Sequence, residues 1–287
     1  MSAATLRVLC VGDIVGERAV ALACAAVPQL RASLGVDFCI ANGENMHQGK
    51  GLNEHLCRKL LRSGVDVLTG GDHSFDKHLI VSYLAKEKRL LRPHNYPRGV
   101  PGTGVGVYTV PELGLPIGVV NLRGNTFFNS PVQDPFRSAD GLFEMLAGQT
   151  SHVFIDFHAE ATAEKAAFAH YVDGRASVVF GTHTHVPTAD HRILPKGTGF
   201  VSDIGCTGPT ESVIGMDTQT AIQRYLLATP QKYQLATGPL QLSGLLAEVG
   251  IADGKARALR HVVFDERELA QPLPPPGSEP QEPEPDA

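Results

Sequence analysis

Five apolar runs in this chain each end in side chains that can bind a metal or move a proton. Asp13 follows Leu6 to Val11, Glu44-Asn45 follows Val36 to Ile40, and Asp72-His73 follows Val65 to Leu68. His158 follows Val153 to Phe157, and the run Ser177 to Phe180 leads into Gly181-Thr182-His183-Thr184-His185. Imidazole combined with carboxylate and amide oxygens suits borderline or hard divalent ions such as manganese, iron or zinc. Asp13, Glu44, Asn45, Asp72, His158, His183 and His185 offer more donors than one tetrahedral ion uses, and enough for two ions sharing a bridging carboxylate. Taken singly, each piece has an ordinary use: a Gly-Asp after a strand is common turn chemistry, and a histidine pair near a strand end is more often structural. Their recurrence at five successive strand ends is what points to one site.

The segments between these runs must bring the ends together. Ala19 to Leu34 and Glu54 to Arg62 carry helical patterns, so the first third reads β-α-β-α-β. A helical stretch from Phe75 to about Lys86 leads into a Pro- and Gly-rich region, Pro93 to Gly106, followed by successive strands at Val105 to Val110 and Ile117 to Leu122. The β/α rhythm returns with Val153 to Phe157, a helix from about Ala163 to Val172, and Ser177 to Phe180. Further strand pairs are expected near Arg192 to Asp203 and Leu240 to Phe264. In open α/β sheets ligands bind beyond the carboxyl ends of the strands, where residues far apart in sequence converge. In extended chain His183 and His185 project to the same side.

Composition sets the frame. Hydrophobic residues make up 43% and charged residues 19%, which is ordinary for a soluble globular enzyme and leaves no apolar run long enough for a membrane span. With a formal net charge of −5 and no stripe of Lys and Arg, strong binding of long nucleic acid is not expected. Five cysteines without a C-x-x-C pair suit a reducing cytoplasm. Residues 1–270 read as one domain, and the Pro/Glu-rich segment 271–287 as a disordered tail. His47 and His94 lie in loops that could form a rim above the site, and the remaining histidines are assigned to the surface or to ordinary hydrogen bonding.

The ordered blocks Gly12-Asp13-Ile14-Val15, Gly43-Glu44-Asn45, Gly71-Asp72-His73, His158 and Gly181-Thr182-His183-Thr184-His185 resemble those of the calcineurin-like metallophosphoesterases. The missing histidine of the first block, the Glu in the second and the residue inserted after Gly181 look like the YmdB-like branch, the 2′,3′-cyclic-nucleotide phosphodiesterases. So do Asp156-Phe157-His158-Ala159-Glu160 and Ser212-Val213-Ile214-Gly215-Met216-Asp217. The resemblance implies a four-layer α/β/β/α sandwich. It implies one ion held by Asp13, Glu44, Asn45 and His185, a second held by Glu44, Asp72, His158 and His183, and Glu44 as the bridge. Iron or manganese is the expected metal pair, and a metal-activated hydroxide would cleave a small phosphodiester, such as a cyclic nucleotide. His73 stands where this superfamily keeps the histidine that protonates the leaving group. Asp72 departs from the branch, which has an amide there. Alternatives within the same resemblance are a broad phosphomonoesterase or nuclease, and a non-catalytic nucleotide-binding regulator; a homo-oligomer is compatible with either.

Overall fold

The computed structural model of the chain describes residues 4–271 and residue 273. The first third alternates β1 (Thr5–Val11), β2 (Asp13–Ile14), α1 (Gly16–Leu34), β3 (Phe38–Asn42), α2 (Glu54–Arg62) and β4 (Val67–Thr69). A short helix α3 (Val81–Leu84) precedes the hairpin of β5 (Val105–Val110) and β6 (Leu115–Arg123). Then follow α4 (Pro135–Leu146), β7 (Val153–His158), α5 (Thr162–Tyr171) and β8 (Val178–Thr182). The last part contains β9 (Arg192–Ile193), β10 (Gly199–Val201), β11 (Cys206–Pro209), α6 (Thr218–Leu227), β12 (Leu240–Gly250) and β13 (Ala256–Asp265).

These strands make two sheets. One runs in the order β2-β11-β12-β1-β3-β4, with β13 also pairing β12; the other runs β5-β6-β7-β8-β10-β9. The alternation of side chains along a strand builds the layers. Leu6, Val8 and Cys10 of β1 pack with Phe154, Val178 and Phe180 of the second sheet, which makes the core between the sheets. Leu9 and Val11, on the opposite face of β1, pack instead against Val27 and Leu30 of α1. Ile155 and Phe157 likewise turn outward against Phe168 of α5 and Leu142 of α4. Helices therefore cover both outer faces, and the expected α/β/β/α arrangement is present.

Within the first sheet β1, β3 and β4 are parallel, and within the second β6, β7 and β8 are parallel. Their carboxyl ends meet at one edge. Asp156 of β7 is fully buried there and accepts hydrogen bonds from Asn42 Nδ2 of β3 (2.9 Å), Thr69 Oγ1 of β4 (2.5 Å) and Thr182 Oγ1 of β8 (2.6 Å). One carboxyl group thus ties both sheets together directly below the residues singled out in the sequence.

Some expectations change. Residues 75–86 are not one helix: a 3-10 turn at His78–Ile80 runs into α3, because Ser74 Oγ bonds both the amide and the carbonyl of Gly71 and closes residues 71–74 into a turn. Helices α4 and α6 were not anticipated, although each opens on an aspartate whose side chain caps amides of the first turn, Asp134 and Asp217. Of the segment read as a tail, Gln271 is exposed and Leu273 packs against the core beneath α1. The rest of that segment lies outside the described residues. Among the described residues no helix is long and apolar enough to cross a membrane.

Candidate metal centre

Glu44, Asp72, His158 and His183 come from four different loops or strand ends, yet one donor atom of each lies within 4.8 Å of all the others. His158 Nε2 is 3.1 Å from Glu44 Oε1 and 3.0 Å from Asp72 Oδ1. His183 Nδ1 is 3.2 Å from Asp72 Oδ1 and 3.0 Å from His158 Nε2. The groups behind the imidazoles set their orientation. Thr182 Oγ1 gives its proton to Asp156 Oδ1, so it accepts from His158 Nδ1 at 2.9 Å, and His158 Nε2 is left to face the cluster. Glu160 holds the far nitrogen of His183 in the same way, at 3.1 Å.

Gly71 is part of this arrangement. A Cβ on it would collide with both Glu44 Oε2 and His158 Nε2, so no other residue fits at the position. The neighbouring backbone also contributes, because the His73 amide donates to Glu44 Oε2 at 3.0 Å.

A second donor set adjoins the first. Asp13 is completely buried, and its Oδ2 accepts the amide of His183 at 3.1 Å, while its Oδ1 has no hydrogen-bond partner. Asn45 is 4% exposed; its Nδ2 donates to the Gly49 carbonyl at 3.2 Å, and its Oδ1 is also without a partner. Leaving buried oxygens unpaired costs roughly 1–3 kcal/mol each, more for a charged group. His185 donates from Nδ1 to the Ile214 carbonyl (2.9 Å), which turns Nε2 toward Asp13 Oδ1 at 4.0 Å. Oriented imidazole, carboxylate and amide oxygen with unspent lone pairs are a donor set that fits a divalent transition metal.

The charges agree. Burial opposes a proton on His158, but the carboxylates of Glu44, Asp72 and Asp13 outweigh it and hold its pKa well above the ordinary histidine value. Burial likewise opposes charge on Asp72, yet hydrogen bonds from His158 and His183 pull its pKa far below the ordinary carboxylate range. Cys206, which pairs with Asp13 across β2 and β11, is not part of the compact cluster, and burial, with the charges of Asp13 and Asp203, pushes its thiol up to about 12.

The geometry corrects one expectation. Residues 183–185 are not extended, because β8 ends at Thr182 and both histidines have positive φ, 96° for His183 and 64° for His185. The two rings therefore part, one joining Glu44 and Asp72 and the other joining Asp13. Such backbone is costly for a non-glycine residue and persists only where the surroundings fix it. Here the fixing group is the buried pair of Lys165 Nζ and Asp203 Oδ2, 2.8 Å apart. Lys165 also donates to the Thr182 carbonyl (2.8 Å), and Asp203 accepts from the Thr184 amide (3.1 Å) and hydroxyl (2.8 Å).

His73 stands beside the cluster, 24% exposed, with Nδ1 3.1 Å from Asp76 Oδ2 and 3.5 Å from Asp72 Oδ2. His47 is paired with Glu17 at 3.0 Å, and His94 is half-buried with its pKa lowered by burial and the nearby Arg92 charge; neither belongs to the cluster.

Compared with known proteins, residues 9–262 match the model of the family described as "YmdB-like protein". The chain belongs to the YmdB-like family. It is 42% identical over 261 residues to the 2′,3′-cyclic-nucleotide 2′-phosphodiesterase of Bacillus subtilis strain 168, covering 91% of this chain and 98% of that protein. Among solved structures it resembles a Thermus thermophilus protein, with a TM-score of 0.84, 38% identity, and 91% and 99% of the two chains covered. It also resembles a phosphatase of Mycoplasma pneumoniae, with a TM-score of 0.85, 29% identity, and 94% and 98% covered.

Around this YmdB-like site several residues escaped the sequence reading. Asp156, Thr182, Lys165 and Asp203 act through neighbouring protein groups, and nothing in the sequence around them marks them as buried beneath a distant histidine. Ile214 acts through its carbonyl, which sequence does not reveal at all. Asp76 had a signal, since it lies three residues beyond His73, at a distance from which a carboxylate can turn back onto the imidazole, whereas Glu160 meets His183 from 23 residues away and had none.

Proposed function

We propose that this chain is a two-metal phosphodiesterase that hydrolyses 2′,3′-cyclic nucleotides or closely similar small phosphodiesters in the cytoplasm. The observation that carries the proposal is the adjacency of two donor sets around Glu44, one compact and charged, the other with unpaired buried oxygens on Asp13 and Asn45. Asp13, Glu44, Asn45 and His185 would hold one ion, and Glu44, Asp72, His158 and His183 the other, with iron or manganese as the metals. When bound, the ions supply Lewis-acid activation of water and neutralise charge on the phosphate.

The protein's own groups do the rest. Thr182 and Asp156 fix the His158 tautomer, Glu160 and the Ile214 carbonyl aim His183 and His185, and Gly71 leaves room for Glu44. Asp76 occupies Nδ1 of His73, so Nε2 is the nitrogen that protonates the departing alkoxide. The similarity to a 2′,3′-cyclic-nucleotide 2′-phosphodiesterase supports this substrate class.

The test is product identification after incubating metal-reconstituted protein with a 2′,3′-cyclic nucleotide, alongside phosphomonoesters and a dinucleotide. The expected product is the nucleoside 3′-phosphate, with monoesters turned over far more slowly. Preferred turnover of monoesters, or none of any ester with metal bound, would overturn the proposal.

A further inference from the structure

The loop after β6 borders the metal centre and presents two adjacent aromatic rings. Phe128 rests against His183, with ring centroids 4.9 Å apart, and the Arg123 guanidinium lies 4.6 Å from its centroid. Phe127 is 81% exposed and has φ of 67°. Positive φ for a bulky side chain is a strained conformation that persists only where the surroundings fix it.

The loop is rigid. Asn125 closes its neck with two bonds to Val132, at 3.2 and 3.0 Å. Glu164 accepts the amides of Asn125 (2.9 Å) and Thr126 (3.1 Å), and the Gly124 amide bonds the carbonyl of His158 (3.0 Å), itself one of the donors. Below it Arg123, 1% exposed, bonds Ser130 through its backbone carbonyl and its hydroxyl, and makes no ion pair among the described residues. A buried guanidinium without a carboxylate leaves a positive charge next to the centre, shared with the π face of Phe128 and, at 5.6 Å, that of Tyr96.

We infer that Phe127 and Phe128 form the nucleobase subsite of this centre, with Phe127 as the stacking surface and Phe128, propped by Arg123, as the inner wall next to the phosphate position. The inference rests on the phosphodiesterase reading and deepens it: the substrate is a nucleotide recognised by its aromatic base, without hydrogen-bonded selection among bases. Phe128 lies directly on a metal-centre histidine, and Phe127 is the next residue, its Cα about 3.8 Å away. In this reading a base attached through ribose to a phosphate at the cluster extends past Phe128 to Phe127. Stacking is tolerant of sequence because every base has a π face, so all four cyclic nucleotides should be accepted with similar KM.

The experiment compares wild type, Phe127→Ala and Phe127→Tyr on a 2′,3′-cyclic nucleotide and on glycerol 1,2-cyclic phosphate, which has the same reacting ring and no base. Because Phe127 is exposed, its replacement does not threaten the fold. Loss of one stacked base predicts a KM for the cyclic nucleotide raised about tenfold in Phe127→Ala, near-unchanged kcat, recovery in Phe127→Tyr, and no change on the base-free diester. Equal changes on both substrates, or none on either, overturn the subsite. Wild-type turnover of the base-free diester but not of the cyclic nucleotide would overturn the substrate reading itself, a separate outcome.

Discussion

Lys165 and Asp203 form an ion pair 2.8 Å long, almost wholly buried, beneath the turn that carries His183 and His185. It joins a helix on the outer face of the second sheet to the loop after β10 and holds the turn from both sides through Thr182 and Thr184.

Removing one partner of a buried pair leaves the other charge uncompensated, at a cost of roughly 3–5 kcal/mol. Lys165→Met is therefore expected to lower thermal stability strongly and also to weaken metal binding. The double variant Lys165→Met/Asp203→Leu should regain part of the stability but not the metal affinity, because the strained histidine turn has lost its anchor. Calorimetric unfolding together with metal titration checks this; recovery of metal affinity along with stability would show that the pair serves the fold alone.

His73→Ala should reduce turnover roughly 10²-fold or more on diesters with alkoxide leaving groups, the usual scale for a lost general acid. Metal content should hardly change. With a nitrophenolate leaving group, which barely needs a proton, the loss should be much smaller. Equal losses on both would remove the proton-donor role.

The metal-free protein should become less stable as pH rises above neutrality. His158 has a folded-state pKa raised above its unfolded value of about 6.5, so its contribution is fully present below that value and is lost as pH climbs through the folded pKa. Asp156, raised by burial to about 6, has lost most of its proton by pH 7, and the buried thiols, raised in the fold, lower stability only as pH passes about 8 and unfolded-state thiols ionise, so the histidine dominates between pH 7 and 8. Thermal unfolding in chelator between pH 7 and 8 tests this. A flat or rising melting temperature would contradict the charge balance described for the cluster.

Asp72 adds a third carboxylate, with Asp13 and Glu44, to a site where the resemblance anticipates an amide. An extra anion tightens cation binding but lessens the pull on a bound water, making it less acidic. Asp72→Asn should accordingly loosen one metal and shift the acidic limb of the pH–rate profile to lower pH. Unchanged affinity with an unshifted limb would take Asp72 out of the ligand set, despite its 3.0 and 3.2 Å contacts to His158 and His183.

Much of this site was legible because its donors recur at strand ends, where apolar runs stop abruptly: Asp13, Glu44, Asp72, His158 and His183 all follow that rule. The covering of both sheets by helices was implied by the family resemblance, and the alternation that sends Leu9 and Val8 to opposite faces of β1 is seen only in the structure. What stayed hidden depends on close approach across the fold. The positive φ of His183 and His185 comes from Lys165 and Asp203, residues 38 apart in the chain. The lone pairs of Asp13 and Asn45 are unpaired only because β2 and the loop after β3 are buried. Phe127 and Phe128 carry no periodic pattern, and the place of Phe128 beside His183 follows from loop geometry set by Asn125 and Glu164.

The most direct test of the central claim is the metal content of purified wild-type protein reconstituted with iron or manganese, measured against protein concentration, with Glu44→Gln in parallel. The expected result is about two ions per chain, as for a centre sharing one carboxylate, with both sites weakened together in Glu44→Gln. At most one tightly bound ion in the wild type, or loss of only one of two ions in the variant, would contradict a centre in which Glu44 serves both.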